Sequence, residues 1–182
     1  MRALSQLRRL FLSIGITVAL AFGVAGGIAL FVGATAHDQV GQQLSQEQIT
    51  FPKAGSEQIT KLPAADAAAV ARYAGQKMTT GDQAKVFADN YILVHMMESS
   101  HGKTYAQMDR EDPARATVLS GSSLRGMLLN AYAWWTAGTY ATIAGYALLA
   151  LSAIMFVVTL TANRFAPKTD KAFAASPAYA TA

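Results

Sequence analysis

His95, Glu98 and His101 are the residues whose types and spacing come closest to a catalytic pattern in this chain. Two histidines and one carboxylate form the ligand set of mononuclear non-haem iron oxygenases. One helical turn separates positions 95 and 98, so their side chains could share a metal ion, with His101 following near the helix end. The competing interpretation is a polar helix end, where a histidine interacts favourably with the helix dipole. We favour the second interpretation: the trio stays a metal-site candidate, and we predict no catalytic residue and no cofactor.

Other catalytic patterns are missing from the sequence. The chain has no cysteine, which excludes thiolate metal sites, iron–sulfur clusters and a cysteine nucleophile. It also lacks the GxSxG, HExxH, P-loop and GxGxxG motifs. The acidic run at 109–112 has two interpretations, a solvated turn that caps the next helix or a cation- or protein-docking site, and we favour the turn. The sequence thus favours a protein that is not an enzyme.

Two uncharged apolar runs, residues 10–36 and 126–163, bracket these polar residues. A helix rises about 1.5 Å per residue, so about 20 apolar residues cross the hydrocarbon core of a bilayer. Both runs exceed this length and predict two transmembrane helices. The first run also resembles a signal peptide that would be cleaved after Ala36, but signal h-regions span only about 7–15 residues. We therefore expect a retained anchor.

The predicted fold is an all-α membrane protein in which two transmembrane helices flank a mostly helical extracytoplasmic domain. We divide the chain into a basic cytoplasmic tail, the first transmembrane helix, the outer domain, an interfacial extension with the second transmembrane helix, and a disordered cytoplasmic tail, at 1–9, 10–36, 37–125, 126–163 and 164–182. Since aromatic rings favour the headgroup layer, the cluster of Trp134 and Trp135 predicts that the second helix is buried over about 135–160.

Within the outer domain the residue pattern predicts an extended segment followed by helices. Weak alternation predicts the extended segment at 44–51, ending at a proline. Apolar spacing of three and four residues predicts helices at 63–77 and 81–100. Asp112 and Pro113 then form a suitable helix start, as N-cap and first helical residue, for a helix that runs to about residue 163.

The flanking charges predict the orientation in the membrane. The first tail carries Arg2, Arg8 and Arg9 without an acidic residue, whereas residues 37–125 hold nine Lys/Arg against ten Asp/Glu. Basic residues near span ends stay on the cytoplasmic side, and long loops translocate largely regardless of charge. We therefore expect a plasma-membrane protein with both termini in the cytoplasm. The net charge of +4 needs no nucleic-acid partner, because basic tails next to anionic lipid account for it.

Both predicted spans carry small residues at intervals of four. Helices associate in membranes where small residues let their backbones approach, so these positions predict helix packing. They are Gly15, Ala19, Gly23 and Gly27 in the first span and Ala137, Ala141 and Gly145 in the second. The spacing leaves open whether the contact is between the two spans, with another copy, or with another membrane protein.

Four short motifs give the chain a resemblance to a known family. They are QITFP at 48–52, YAG at 73–75, GKTY at 102–105 and DREDPARAT at 109–117. With these motifs the chain resembles an actinobacterial family of small two-span membrane proteins over about residues 10–160. Members are often labelled aromatic ring-opening dioxygenases, and similar proteins are accessory subunits of the cytochrome bcc–aa3 supercomplex.

The resemblance implies two alternative functions. The first is a non-catalytic accessory or scaffold protein of the membrane, associated with a respiratory complex or with other membrane subunits. The second is a membrane-tethered non-haem iron dioxygenase, for which only His95, Glu98 and His101 offer ligands. We favour the accessory role.

Overall fold

A computed structural model describes residues 2–165 and shows an all-α chain with two long helices. Helix α1 spans Arg2–Gln46 and helix α6 spans Arg115–Phe165. Between them lie α2 (Glu57–Thr60), α3 (Ala64–Ala71), α4 (Gly81–Phe87), a π-helical turn (Ala88–Ile92), α5 (Leu93–Ser99) and a 3-10 turn (Tyr105–Gln107). The predicted all-α class with two long helices is confirmed, since the described part of the chain is mostly helical and holds no strand. Of the predicted disordered tail, residues 166–182 lie outside the described part.

The two long helices extend beyond the predicted spans. Helix α1 has 45 residues and α6 has 51, so each is about 70 Å long, against a bilayer hydrocarbon core of about 30 Å. Both are long and apolar enough to cross a membrane. In their most apolar windows only 17% and 11% of residues are buried. Apolar side chains such as Leu20, Val24 and Tyr146 are therefore largely exposed, as lipid-facing residues are.

Of the described residues, the first compact unit comprises 2–30 and 143–165, in which α1 and α6 pack antiparallel. The contact is closest at Gly26 and Gly145. A Cβ built on either would lie 2.9 Å from the carbonyl oxygen of the other, closer than real Cβ contacts. The hydroxyl of Ser152 donates to the backbone oxygen of Ala19 across the same contact at 2.7 Å. Small residues therefore allow backbone groups of the two helices to meet directly.

Two further contacts extend this packing toward the chain ends. Gly15 lies against the side chain of Thr159, which is fully buried. Beyond them, the guanidinium of Arg8 donates to the side-chain and backbone oxygens of Asn163, at 2.6 and 2.7 Å. The first unit is thus held by close helix contact, with an exposed polar interaction near one end.

The contacting positions 15, 19, 23 and 26 follow steps of four, four and three residues, whereas the predicted stripe used steps of four throughout. A step of four turns a helix by about 400°, so three such steps displace the last residue by about 120° from the first. Gly15, Ala19 and Gly23 contact or approach α6, but Gly27 is exposed and a Cβ there would meet nothing within 4 Å. Gly26 takes its place because a step of three turns the helix back by about 60° and so keeps one face toward α6.

The second compact unit spans residues 31–142 and is a small helical domain. Here Gly33 lies against Gly138 and Thr142. The predicted packing residues Ala137 and Ala141 are exposed and half-buried, so Gly138 and Thr142 form the contact instead. A larger apolar cluster contains Val40, Leu44, Phe51, Ile59, Leu62, Val70, Met78, Ala84, Phe87, Ala88, Ile92 and Leu128. Helices α1, α3, α4 and α6 are therefore packed around one core.

The short elements of this unit differ from the predicted ones at their ends. The predicted extended segment at 44–51 is helical up to Gln46, and only residues around Thr50 pair with those around Lys77 in an isolated antiparallel bridge. The helix predicted at 63–77 ends at Ala71, since Gly75 adopts a φ of +73° and turns the chain back. Local pattern alone does not reveal this bridge, because its two sides are distant in sequence.

Two substitutions separate the observed packing from the predicted stripe. Gly26→Ala should destabilise the helix pair by about 1–3 kcal/mol, because its new methyl group would collide with backbone atoms of α6. Gly27→Ala, its neighbour, should leave stability unchanged or slightly raised, since its methyl group meets open space. Helix separation can be followed during SDS titration by energy transfer between dyes at positions 10 and 160. Equal midpoints for the two variants would contradict the observed interface.

Candidate functional site

The structure does not gather His95, Glu98 and His101 into a metal site. Among residues 2–165, no three His, Asp or Glu side chains form a group able to hold a metal ion. His95 is exposed, and its Nδ1 lies 2.9 Å from the backbone oxygen of Tyr91. His101 follows the end of α5 with a left-handed φ of 53°. Six helical residues also turn by about 600°, which would place positions 95 and 101 on different faces.

The GKTY and DREDP motifs form a compact loop before α6. Thr104 and Gln107 make a capping box around the 3-10 turn. The guanidinium of Arg115 donates to the backbone oxygens of Tyr105 and Met108, at 3.2 and 2.6 Å, and stacks on the Tyr105 ring at 4.0 Å. These contacts give the motifs a structural role and hold the loop against α6.

The acidic run at 109–112 contributes to the same loop. Asp112 accepts a hydrogen bond from the backbone N–H of Ala114 at 2.9 Å, while Asp109 and Glu111 are exposed. Asp112 thus caps a turn, and α6 begins at Arg115, two residues after the predicted start at Pro113. A carboxylate that binds a nearby backbone N–H is common where a helix is about to begin.

An ion-pair cluster lies at the π-helical turn, where the helix predicted at 81–100 is widened by one residue. Asp89 accepts from Lys85 at 2.6 Å and from Arg125 of α6 at 2.8 Å. One turn of π-helix is frequent at functional sites, because it redirects the side chains that follow it. Here it coincides with the side chain that ties the middle helices to α6. The periodicity of the sequence did not predict the π-helical turn.

The charges around Asp89 lower the pKa of its carboxyl group. Burial alone would raise this pKa, since it disfavours the charged form. The hydrogen bonds and positive charges of Lys85 and Arg125 outweigh burial, and the pKa falls below its ordinary value. Asp89 is therefore an ionised structural link between α4 and α6 rather than a proton donor.

His37 and Trp135 join α1 and α6 within the second unit. Their rings lie 4.2 Å apart, and His37 Nε2 donates to the backbone oxygen of Trp135 at 3.0 Å. The side chain of Trp135 also lies against Gly81, where a Cβ would collide with it. His37 is the first residue after the uncharged run 10–36. It thus packs against α6 and lies inside the continuous helix α1.

A groove of about 410 Å³ opens beside this contact, between α1 and α6. Three large apolar side chains on its walls are exposed, Phe31 by 72%, Met127 by 69% and Trp134 by 61%. Val32, Thr35, Ala36, Gln39, Val40, Gln43, Asn130 and Ala131 complete the lining. None of these lining side chains is ionisable. The sequence indicated Trp134 as an interfacial residue, but it gave no sign of the groove, which needs the packing of two distant segments.

Comparison with known proteins gives no relative: no family model, curated protein or solved structure matches the chain.

The link through Asp89 should make stability depend on pH. Asp89→Asn should lower the free energy of unfolding at pH 7 by about 1–3 kcal/mol, because hydrogen bonds to a charged group are lost. A lowered native pKa stabilises the fold above the unfolded pKa of about 3.9, and this stabilisation is lost as the pH falls through the native pKa. The gap between wild type and variant should therefore close below about pH 4. Denaturant unfolding of the full chain in micelles, followed by tryptophan fluorescence, measures the gap.

Glu57→Gln provides the matched control. Glu57 pairs with Lys61 at 3.0 Å, but both side chains are more than three-quarters exposed. Such a pair contributes little, so the variant should unfold like the wild type at every pH. A loss at Glu57 equal to that at Asp89, or an Asp89→Asn deficit that persists at low pH, would contradict this account.

Proposed function

We propose that this chain is a non-catalytic integral membrane protein that serves as an accessory or scaffold subunit for another membrane protein. The observation that carries the proposal is an exposed apolar face on α6 within the second unit, formed by Leu119, Met127 and Trp134. These residues follow one another at intervals of eight and seven. At about 100° per residue, they lie within an arc of about 80° around the helix axis, and so on one face. We refer to them as the α6 face.

The α6 face extends well beyond the interfacial tryptophans. Leu119 lies 16 positions before Trp135, so it is about 24 Å away along the helix axis. It is nonetheless 47% exposed, although it lies outside the stretch proposed to be in lipid. Contiguous exposed apolar surface outside a membrane usually marks contact with a protein. A partner membrane protein that also reaches above the bilayer would cover it.

The small size of the second unit agrees with a supporting role. Its larger core lies among α1, α3, α4 and α6, and a second small cluster of Met96, Met108 and Val118 lies under the GKTY loop. Residues of α6 take part in both clusters, Leu128 in the larger and Val118 in the smaller. A small helical domain of this kind suits a subunit that binds a larger neighbour.

The proposal includes a place in the cell and a class of partner. We propose the plasma membrane, with both termini in the cytoplasm and residues 37–125 outside, because the ends are basic and the middle segment is long. The family resemblance makes a respiratory complex of the cytochrome bcc–aa3 type the first partner to examine. The iron-dioxygenase alternative has no support from the arrangement of His95, Glu98 and His101.

Leu119→Glu tests the α6 face. A carboxylate in a desolvated apolar interface is costly, so proteins that copurify with the wild type from native membranes should be lost from the variant. The amount of variant in the membrane should be unchanged, because Leu119 faces away from both cores. Quantitative mass spectrometry of gently solubilised complexes measures both the copurifying proteins and the amount of variant in the membrane.

Thr117→Glu introduces the same charge two residues away. Thr117 is exposed and lies about 160° around the helix from Leu119, at the other edge of the exposed arc. It should retain the copurifying proteins. If both variants keep the same partners as the wild type, the α6 face is not the interface.

Cysteine labelling tests the topology. The chain has no native cysteine, so a single Cys at the exposed position Ala54 should react with an impermeant maleimide in intact cells. A Cys at Ser176 should react only after the membrane is permeabilised. Labelling of position 176 in intact cells would overturn the proposed orientation.

A further inference from the structure

We propose that the groove between α1 and α6 in the second unit binds a neutral membrane lipid, with a hydroxyl- and carbonyl-bearing head at its polar end and an acyl chain along its apolar end. The groove shares Met127 and Trp134 with the α6 face, whereas Leu119 does not line it, so Leu119→Glu tests the protein interface without changing the groove. The inference rests on the polarity, direction and size of the groove.

The polar groups of the groove are uncharged hydrogen-bonding groups. Gln39, Gln43 and Asn130 contribute amides, each with an oxygen acceptor and two N–H donors. Among the described residues, these three side chains have no hydrogen-bond partner, and the Thr35 hydroxyl donates to the backbone oxygen of Phe31 at 2.8 Å. Paired donors and acceptors of this kind match hydroxyl and ester groups. A phosphate head would instead require Lys, Arg or a helix N-terminus, and no Lys or Arg lines the groove.

The groove changes from apolar to polar along its length. Phe31 and Val32 belong to the uncharged run that ends at Ala36, whereas Gln39 and Gln43 lie one and two turns beyond it. The opposite wall has no such gradient, since Asn130 lies between the apolar side chains of Met127 and Trp134. Gly138 lies against Ala36, so this amide of α6 lies at the same end of the groove as Gln39 and Gln43.

This gradient matches the orientation of a lipid in a bilayer. The apolar end begins in the sequence proposed to be in lipid, and the amide end lies where polar sequence begins. Trp134, on the wall between them, is a residue type that favours the headgroup layer. The side chains of Gln39, Gln43 and Asn130 are exposed, so a polar group of a ligand can reach their amides. A lipid head supplies that group.

The volume of the groove limits which part of a lipid it can hold. A volume of about 410 Å³ lies within the range of about 300–1,000 Å³ that is typical of small-molecule sites. It accommodates a small neutral head and the upper part of a chain. A helix with its side chains is about 10–12 Å in diameter and would cover the groove rather than fill it.

Tryptophan quenching tests the proposal. The chain has two tryptophans, and Trp135→Phe leaves Trp134, on the groove wall, as the single reporter. The full-length variant is placed in phosphatidylcholine vesicles that contain a small fraction of brominated diacylglycerol or, in parallel, brominated phosphatidylglycerol. If the two brominated lipids only collided with Trp134 at random, they would quench it equally. Because we propose that the groove binds the neutral lipid, we expect stronger and saturable quenching by the neutral lipid alone. Glycosylated diacylglycerol, added unbrominated as a competitor, shows whether a sugar-bearing head is also accepted.

Two amide substitutions locate the site. Gln39→Ala combined with Asn130→Ala should weaken the saturable component on the order of tenfold, through the loss of two hydrogen bonds. Gln42→Ala is the matched control, since it removes an exposed amide of α1 that does not line the groove and should leave quenching unchanged. Equal quenching by the two brominated lipids, or saturable quenching that survives the double substitution, would overturn the proposal and leave the groove to a protein partner.

A second measurement does not depend on Trp135→Phe folding correctly. Lipids retained by the purified wild type and by the double amide variant are extracted and quantified by mass spectrometry. Neutral glycerolipid should be enriched over the bulk membrane composition in the wild type and reduced to that composition in the variant. Identical neutral-lipid content in the two preparations would count against the site.

Discussion

The backbone approach of two antiparallel helices is the constraint on which the rest of the structure depends. In the first unit, Gly26 and Gly145 bring carbonyl oxygens close to opposing α-carbons, a distance that any side chain would prevent. In the second unit, Gly33 and Gly138 do the same. Lipid offers no hydrophobic driving force between helices, so this contact surface and the Ser152 hydrogen bond must hold the first pair together. Glycine is needed at these positions for the space that it leaves.

In the second unit, polar contacts join the helices in addition to the close backbone approach. Asp89 joins α4 to α6 through Lys85 and Arg125, and His37 joins α1 to α6 through the backbone of Trp135. The apolar cluster lies between these two links. Since a single hydrogen-bonded charge pair contributes modestly, the links chiefly fix which faces of the long helices point inward. The groove and the α6 face are the surfaces left outside by this arrangement.

The sequence predicted the elements of the fold better than their contacts. The length of the two uncharged apolar runs was enough to predict the two long helices. No further feature of the sequence was needed for that prediction. The small-residue stripe contained Gly27 but not Gly26, although Gly26 makes the close contact with α6, since a repeat of four drifts around a helix. The groove and the bridge at Thr50 and Lys77 depend on segments far apart in the chain, and neither side alone carries a signal. The π-helical turn is equally hidden, because an inserted residue leaves local composition unchanged.

The π-helical turn at Ala88–Ile92 is equivalent to one extra residue in an otherwise regular helix. Deleting one of its residues would restore a regular α-helix and leave the side chains before and after it on nearly the same faces, because the turn already accommodates the extra residue. A deletion in α5 before Met96 would instead rotate Met96 by about 100° away from the small cluster that it forms with Met108 and Val118. The π-helical turn is thus the place in this helix where a change of length is absorbed locally, whereas the number of residues in α5 before Met96 determines which side chain reaches the small cluster.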